Sequence, residues 1–190
     1  MIAAWVRRWG YNHLKSLARY QAGGKPHVMI KSDMIQAYWN RFLKQLPDHS
    51  PYQEKPYEAW GFGDSPQMAN ELGRLVQEGV KTATCSLLWE YEADGERLPA
   101  VGNLSIILDG EGQPLCITEI VEVTIRPYDE VDDHFAYDEG EGNRTLAYWR
   151  HAHWEFFSRV CSQIGREISP SMPLVCERFR TIYRKAMVLS

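Results

Sequence analysis

The run Gly79-Val80-Lys81-Thr82-Ala83-Thr84-Cys85-Ser86-Leu87 places an amine, hydroxyls and a thiol within a short length of chain. An amine beside a hydroxyl can generate an oxygen nucleophile: a neutral lysine takes the hydroxyl proton, and a carboxylate orients the amine, the logic of acyl transfer or amide hydrolysis. Burial favours the neutral amine, whereas a neighbouring carboxylate favours the ammonium, so the direction of any pKa shift stays open at this stage. Without an acid nearby, the same lysine simply holds a phosphate or a carbonyl. Lys81-Thr82-Ala83-Thr84 alone has little specificity, because lysine is ordinarily a solvated charge and threonine-rich strands are ordinary strands. Spacing adds a constraint. Lys81 and Thr84 are three apart, so a regular strand sends them to opposite faces, and both serve one pocket only if Lys81 belongs to a turn after Gly79.

Other polar residues compete for attention. Glu119 falls on an apolar strand face and reads either as a carboxylate turned outward by a bulge or as a pocket acid. Residues 128–141 hold seven Asp or Glu and no Lys or Arg; the default reading is a solvated acidic loop, since the spacing does not fit an EF-hand. His151 and His153 lie across a helix from one another and form no metal pair, and His153 reads as a hydrogen-bonded, partly buried histidine. Trp60 either stacks a base or closes a core.

The elements that must position these residues follow from periodicity. Ile35, Tyr38, Trp39, Phe42, Leu43 and Leu46 recur at helical spacing, with Ser32 or Asp33 as the cap and Pro47 as the stop. Asp48 to Tyr57 reads as a linker, and Trp60-Gly61-Phe62-Gly63-Asp64 as an aromatic-glycine loop. Ser65-Pro66 starts a second helix with Met68, Leu72, Leu75 and Val76 inward, and Gly79 ends it. A short helical turn at Leu87–Tyr91 precedes a hairpin of Gly102–Leu108 and Leu115–Ile125, the latter with Leu115, Ile117, Val121 and Val123 on one face. Asn143 caps a long helix with the stripe Leu146, Trp149, His153, Phe156, Val160 and Ile164, and Leu174–Tyr183 closes the chain as a strand. Strands without regular crossover helices imply an α+β fold or a small barrel flanked by helices, not a doubly wound sheet.

Composition bounds the function. With 44% hydrophobic and 24% charged residues in 190, the chain reads as one globular domain with no stretch that spans a membrane. Four dispersed cysteines without a C-x-x-C pair imply reduced thiols, a cytoplasmic location and no metal site. Residues 1–32 carry six Lys or Arg and no acid, leaving 15 basic against 25 acidic side chains, net −10, in the remainder. Such a body repels a polyanion, so nucleic-acid contact must come from a local pocket. The basic extension 1–32 reads as a dispensable or misassigned start, with a nucleic-acid or membrane arm and a targeting peptide as alternatives.

The order Trp60-Gly-Phe-Gly, Gly79-Val-Lys-Thr-Ala-Thr, Leu98-Pro-Ala-Val-Gly102, Phe135-Ala-Tyr-Asp-Glu-Gly-Glu-Gly-Asn143 and Leu174-Val-Cys-Glu-Arg-Phe179 resembles the ASCH domain family. The resemblance covers about residues 57–184, after an N-terminal helix and linker at 33–56. It implies a small PUA-like mixed β-barrel with flanking helices and a cleft for RNA or a nucleoside. In the family's small amidohydrolases, which deacylate N4-acetylcytidine, a lysine, a threonine three residues on and a distal glutamate form the catalytic set; here these fall at Lys81, Thr84 and Glu139. Glu141 competes with Glu139, because the acidic loop is longer here, and Cys85-Ser86 stands where those enzymes carry a basic residue. The expectation is therefore a cofactor-free pocket for a cytidine-like nucleoside or one base of single-stranded RNA, with Trp60, Ser86, Glu141 and Arg180 contacting substrate. A non-catalytic RNA-binding module and a ribonuclease using Lys81 are the alternatives. The number of subunits stays open.

Overall fold

The structure is a computed structural model and describes residues 26–63 and 65–184, with side chains from residue 33 onward. In chain order the elements are α1 (Pro26–Leu43), β1 (Tyr57–Trp60), α2 (Pro66–Glu78), β2 (Ala83–Leu87), α3 (Leu88–Asp94), β3 (Leu104–Leu108), β4 (Pro114–Pro127), a 3-10 turn (Tyr128–Glu130), α4 (Asp133–Glu139), α5 (Leu146–Gln163) and β5 (Pro173–Arg184). The strands form one mixed sheet in the order β1-β3-β4-β5-β2, with β1 parallel to β3 and every other pair antiparallel. This is an α+β fold.

The expected barrel is not closed. β1 and β2 are the two ends of the sheet and share no ladder. β1 is four residues long, and the chain turns away at Gly61, where an added Cβ would stand 3.1 Å from the Leu108 carbonyl oxygen. Side chains join what hydrogen bonds do not: Trp60, Phe62, Leu72, Val76, Ile107, Cys116 and Phe179 form one cluster linking β1, α2 and β5. A second cluster fixes α1 on β3 and β4 through Tyr38, Trp39, Phe42, Leu104, Ile106 and Ile117. A third, including Cys85, Leu87, Phe135, Trp149, Phe157 and Leu174, seats α4 and α5 on β2 and β5.

Local signals placed several elements and misplaced others. Ser65 caps α2 by accepting from the Met68 N–H, Pro66 follows it, and Gly79 ends the helix at φ 79°. The first helix begins at Pro26, so positions 32 and 33 lie inside it rather than at its start; proline suits a first helical position because its missing N–H has no partner there anyway. Residues 1–25 of the basic extension lie outside the described residues. Trp60 ends a strand rather than sitting in a loop. The acidic loop contains a helix, α4, capped by Asp132, which accepts from the Phe135 N–H. Asn143 does not cap α5. Arg144 takes a left-handed φ of 62°, which delays the helix until Thr145, whose hydroxyl accepts from the Tyr148 N–H, while Asn143 Oδ1 accepts from Thr145.

The apolar alternation expected along β4 stops at Ile120. The register against β5 shifts between Ile120 and Glu122, which leaves Val121 45% exposed instead of inward with Ile117. Glu119 lies before that shift and is not turned outward. It is buried, accepting hydrogen bonds from Tyr52 at 3.1 Å, Lys55 at 3.2 Å and Arg180 at 2.7 Å. Burial raises its pKa, but these three donors outweigh it and hold the carboxyl below its ordinary value. Glu119 thus ties the segment before β1 to β5.

Candidate active site at the Lys81 turn

Gly79 sets the course of the chain after α2. Its left-handed backbone lets both Val80 and Lys81 donate N–H bonds to the Leu75 carbonyl, so Lys81 lies in the turn and β2 starts only at Ala83. On the opposite side, α4 ends at Gly140, φ 74°. There an added Cβ would stand 2.6 Å from the Val80 carbonyl oxygen and 3.0 Å from Lys81 Cα, and the Thr82 N–H donates to the Asp138 carbonyl. The end of α4 is therefore held against the turn, and Glu139 and Glu141 flank the contact.

Lys81 has no exposure, and its Nζ donates to Glu139 Oε2 at 2.8 Å and to Glu141 Oε1 at 2.7 Å. The Phe62 ring centroid lies 5.5 Å from the same nitrogen. Burial alone would lower the lysine pKa, but the two carboxylates dominate and raise it, so the amine is held as an ammonium. Burial likewise opposes ionisation of Glu139, yet Lys81 and His153 outweigh it, and its pKa is lowered. Glu141 goes the other way. Its own burial exceeds the help from Lys81, and the charge on Glu139 adds to the rise. Two carboxylates against one ammonium leave the cluster one negative charge in excess unless Glu141 holds a proton.

Glu139 reaches further. Its Oε1 accepts from Trp149 Nε1 at 3.1 Å and lies 3.5 Å from His153 Nε2. His153, expected to be partly buried, is 1% exposed; its ring stacks on Trp149 at 4.2 Å, and Nδ1 meets the Trp149 carbonyl at 2.9 Å. Sequence reasoning missed Trp149 and His153 as partners of Glu139. Their spacing of four on α5 was visible, but a buried stripe is ordinarily core, and nothing local links it to a carboxylate ten residues earlier.

Thr84 lies on β2 opposite Glu177 of β5, on the face away from Cys85, and is 2% exposed. Its hydroxyl finds no hydrogen-bond partner among the described residues, and so makes no hydrogen bond with Lys81. Glu141 Oε2 is likewise buried and unpartnered. Ser86 Oγ shares a 3.0 Å hydrogen bond with the Tyr91 hydroxyl. Trp60 is 6% exposed, donates from Nε1 to Ser105 Oγ at 3.0 Å and meets Phe62 edge-on, so it presents no open stacking face. Arg180 is exposed and bound to Glu119, apart from the lysine cluster. The structure thus brings Lys81, Glu139 and Glu141 together, sets Thr84 on the adjoining strand, and leaves Trp60, Ser86 and Arg180 in contacts of their own.

Residues 58–183 match the ASCH domain family. This chain belongs to the ASCH domain family. Its fold is also that of solved relatives. An ASCH domain from Lactobacillus crispatus JV V101 is 32% identical, with a TM-score of 0.75 over 87% of this chain and 99% of that one. A protein from Enterococcus faecalis V583, of family-model DUF984, is 38% identical, with a TM-score of 0.68 over 80% of this chain and 90% of its own. No curated protein matches the chain. In this ASCH domain the four cysteines are free and buried, and no described helix is long and apolar enough to cross a membrane.

Proposed function

We propose that this ASCH domain recognises a cytidine-like nucleobase, free or exposed in RNA, at the Lys81 turn, and hydrolyses an acyl amide on its N4. One observation carries the reading: a buried ammonium between two carboxylates adjoins a strand bearing a buried, unpartnered hydroxyl, Thr84 Oγ1, while Glu141 Oε2 stands unpartnered in the same cluster. An unsatisfied buried polar atom costs about 1–3 kcal/mol, which a structural role does not return. Glu141 Oε2 is an acceptor suited to a base N–H.

In this reading the Lys81 ammonium, held charged by its carboxylates in the resting site, passes a proton to Glu141 once substrate is bound, a transfer that the raised pKa of Glu141 makes less costly, and so becomes the base. Thr84 Oγ adds to the acyl carbonyl carbon and gives its proton to Lys81. Lys81 delivers a proton to N4 as the C–N bond breaks, releasing the free base and leaving an acyl-threonine. Water then hydrolyses that ester, yielding the carboxylic acid and restoring Thr84. Glu139, held by Trp149, keeps the amine in place. Since Lys81 and Thr84 are not hydrogen-bonded to each other, substrate binding must bring them together, as catalytic contacts often tighten only in the complex.

Incubation of the protein with N4-acetylcytidine tests this directly. Release of cytidine that is lost in Lys81→Ala and Thr84→Val is the expected result; no turnover, or turnover unchanged in both variants, overturns it. Buried Trp60 and the acidic body disfavour the non-catalytic RNA module, which needs an open platform and a basic track.

A further inference from the structure

On the α5 side of the same turn, Cys85 Sγ, a Glu139 carboxylate oxygen and a His153 ring nitrogen all lie within 4.8 Å of one another, and all three residues are buried. We propose that this trio is a structural zinc site, formed by a thiolate, a carboxylate and an imidazole from β2, α4 and α5.

The orientation of His153 supports it. A carbonyl only accepts, so the 2.9 Å contact to the Trp149 carbonyl places the ring proton on Nδ1. Nε2 is then the free ligand nitrogen; it is buried, has no hydrogen-bond partner and points at Glu139 Oε1, 3.5 Å away. A neutral ring sets its Nε2 lone pair against a carboxylate oxygen, which is repulsive unless a proton or a metal cation lies between them. Ligating histidines characteristically donate their other nitrogen to a carbonyl in this way. The 3.5 Å separation is also that of two donors on a tetrahedral zinc ion with bonds of about 2.0–2.2 Å.

Charge balance points the same way. With Glu141 ionised, Glu139 and Glu141 against Lys81 leave one excess negative charge and a Cys85 thiolate makes two; with Glu141 protonated the thiolate alone is in excess, and in either state a divalent cation offsets it among buried groups. Trp149 Nε1 orients Glu139 Oε1, and Glu139 Oε2 stays on Lys81, so the ion would join α5 and β2 to the Lys81 turn. Cys176 lies opposite Cys85 in the β2–β5 ladder and in the same core cluster, outside the trio of converging donors. Thiolate with imidazole selects zinc over magnesium or calcium. Loading exchanges the Cys85 thiol proton for the metal, with no redox change.

The inference does not depend on nucleoside turnover, because its readout is the metal itself. Full-length protein expressed in zinc-supplemented medium should carry about one zinc per chain by elemental analysis, the stoichiometry of one three-donor site. Protein expressed with cobalt(II) instead should show thiolate-to-cobalt charge-transfer absorption. Cys85→Ser should abolish that band, and His153→Gln should lower metal content at least about tenfold. Cys161→Ser and His151→Gln should leave both unchanged. Folded wild-type protein without zinc or the cobalt band overturns the site, including the outcome in which nitrogen NMR finds His153 as a metal-free imidazolium. A band surviving in Cys85→Ser also overturns it. If the variants fail to fold, the wild-type metal content and spectrum decide.

Discussion

Gly140 rests against the backbone of Lys81. An added Cβ at residue 140 would meet Lys81 Cα at 3.0 Å and the Val80 carbonyl oxygen at 2.6 Å. Those neighbours are main-chain atoms, so neither can swing aside, and the positive φ of Gly140 adds strain for any other residue. Gly140→Ala is expected to cost at least about 1–3 kcal/mol in urea unfolding and to loosen the cluster. An unchanged midpoint would show that the end of α4 does not hold the turn.

Lys81 and Thr84 should separate stability from function. Lys81→Ala leaves two buried carboxylates without their cation, and is expected to destabilise by about 3–5 kcal/mol. Thr84→Val removes a hydroxyl with no partner while keeping its volume, so its expected change is within about 1 kcal/mol. Thr84→Val protein of native stability that has also lost turnover of N4-acetylcytidine would separate the chemistry from the fold. A loss of stability as large as that of Lys81→Ala would instead mark Thr84 as structural.

Glu141 should impose an unusual pH dependence. Its pKa rises on folding, so the folded chain holds the proton more tightly; that contribution is fully present below the unfolded carboxyl pKa and is lost as pH rises through the folded value. Glu139, lowered, contributes in the opposite sense: its stabilisation is present above the unfolded pKa and is lost as pH falls through the folded one. Lys81, raised, stabilises fully below the unfolded lysine pKa, and this is lost as pH rises through its folded value. Unfolding followed upward in pH from the ordinary carboxyl pKa should therefore show wild type losing stability relative to Glu141→Gln as pH increases. Parallel curves for the two proteins would contradict the assigned rise.

What the residues alone determined was local. Ser65-Pro66 and Gly79 set the ends of α2, because capping and left-handed backbone are short-range choices. Gly79 in turn put Lys81 in a turn, the condition that its spacing from Thr84 sets for the two to serve one pocket. The helical stripes and the strand runs were legible for the same reason, and the ordered motifs pointed to the family. Partners distant in sequence were decided only by the fold. By composition Glu139 and Glu141 read as solvated charges and only the family resemblance set them beside Lys81, until α4 formed and Gly140 brought both onto the amine; Glu119 stayed open between an outward-turned and a pocket carboxylate until Tyr52, Lys55 and Arg180 closed around it. The direction of the Lys81 shift also waited on structure: burial and carboxylates oppose one another, and their balance depends on distances of 2.7 and 2.8 Å that no spacing in the chain specifies.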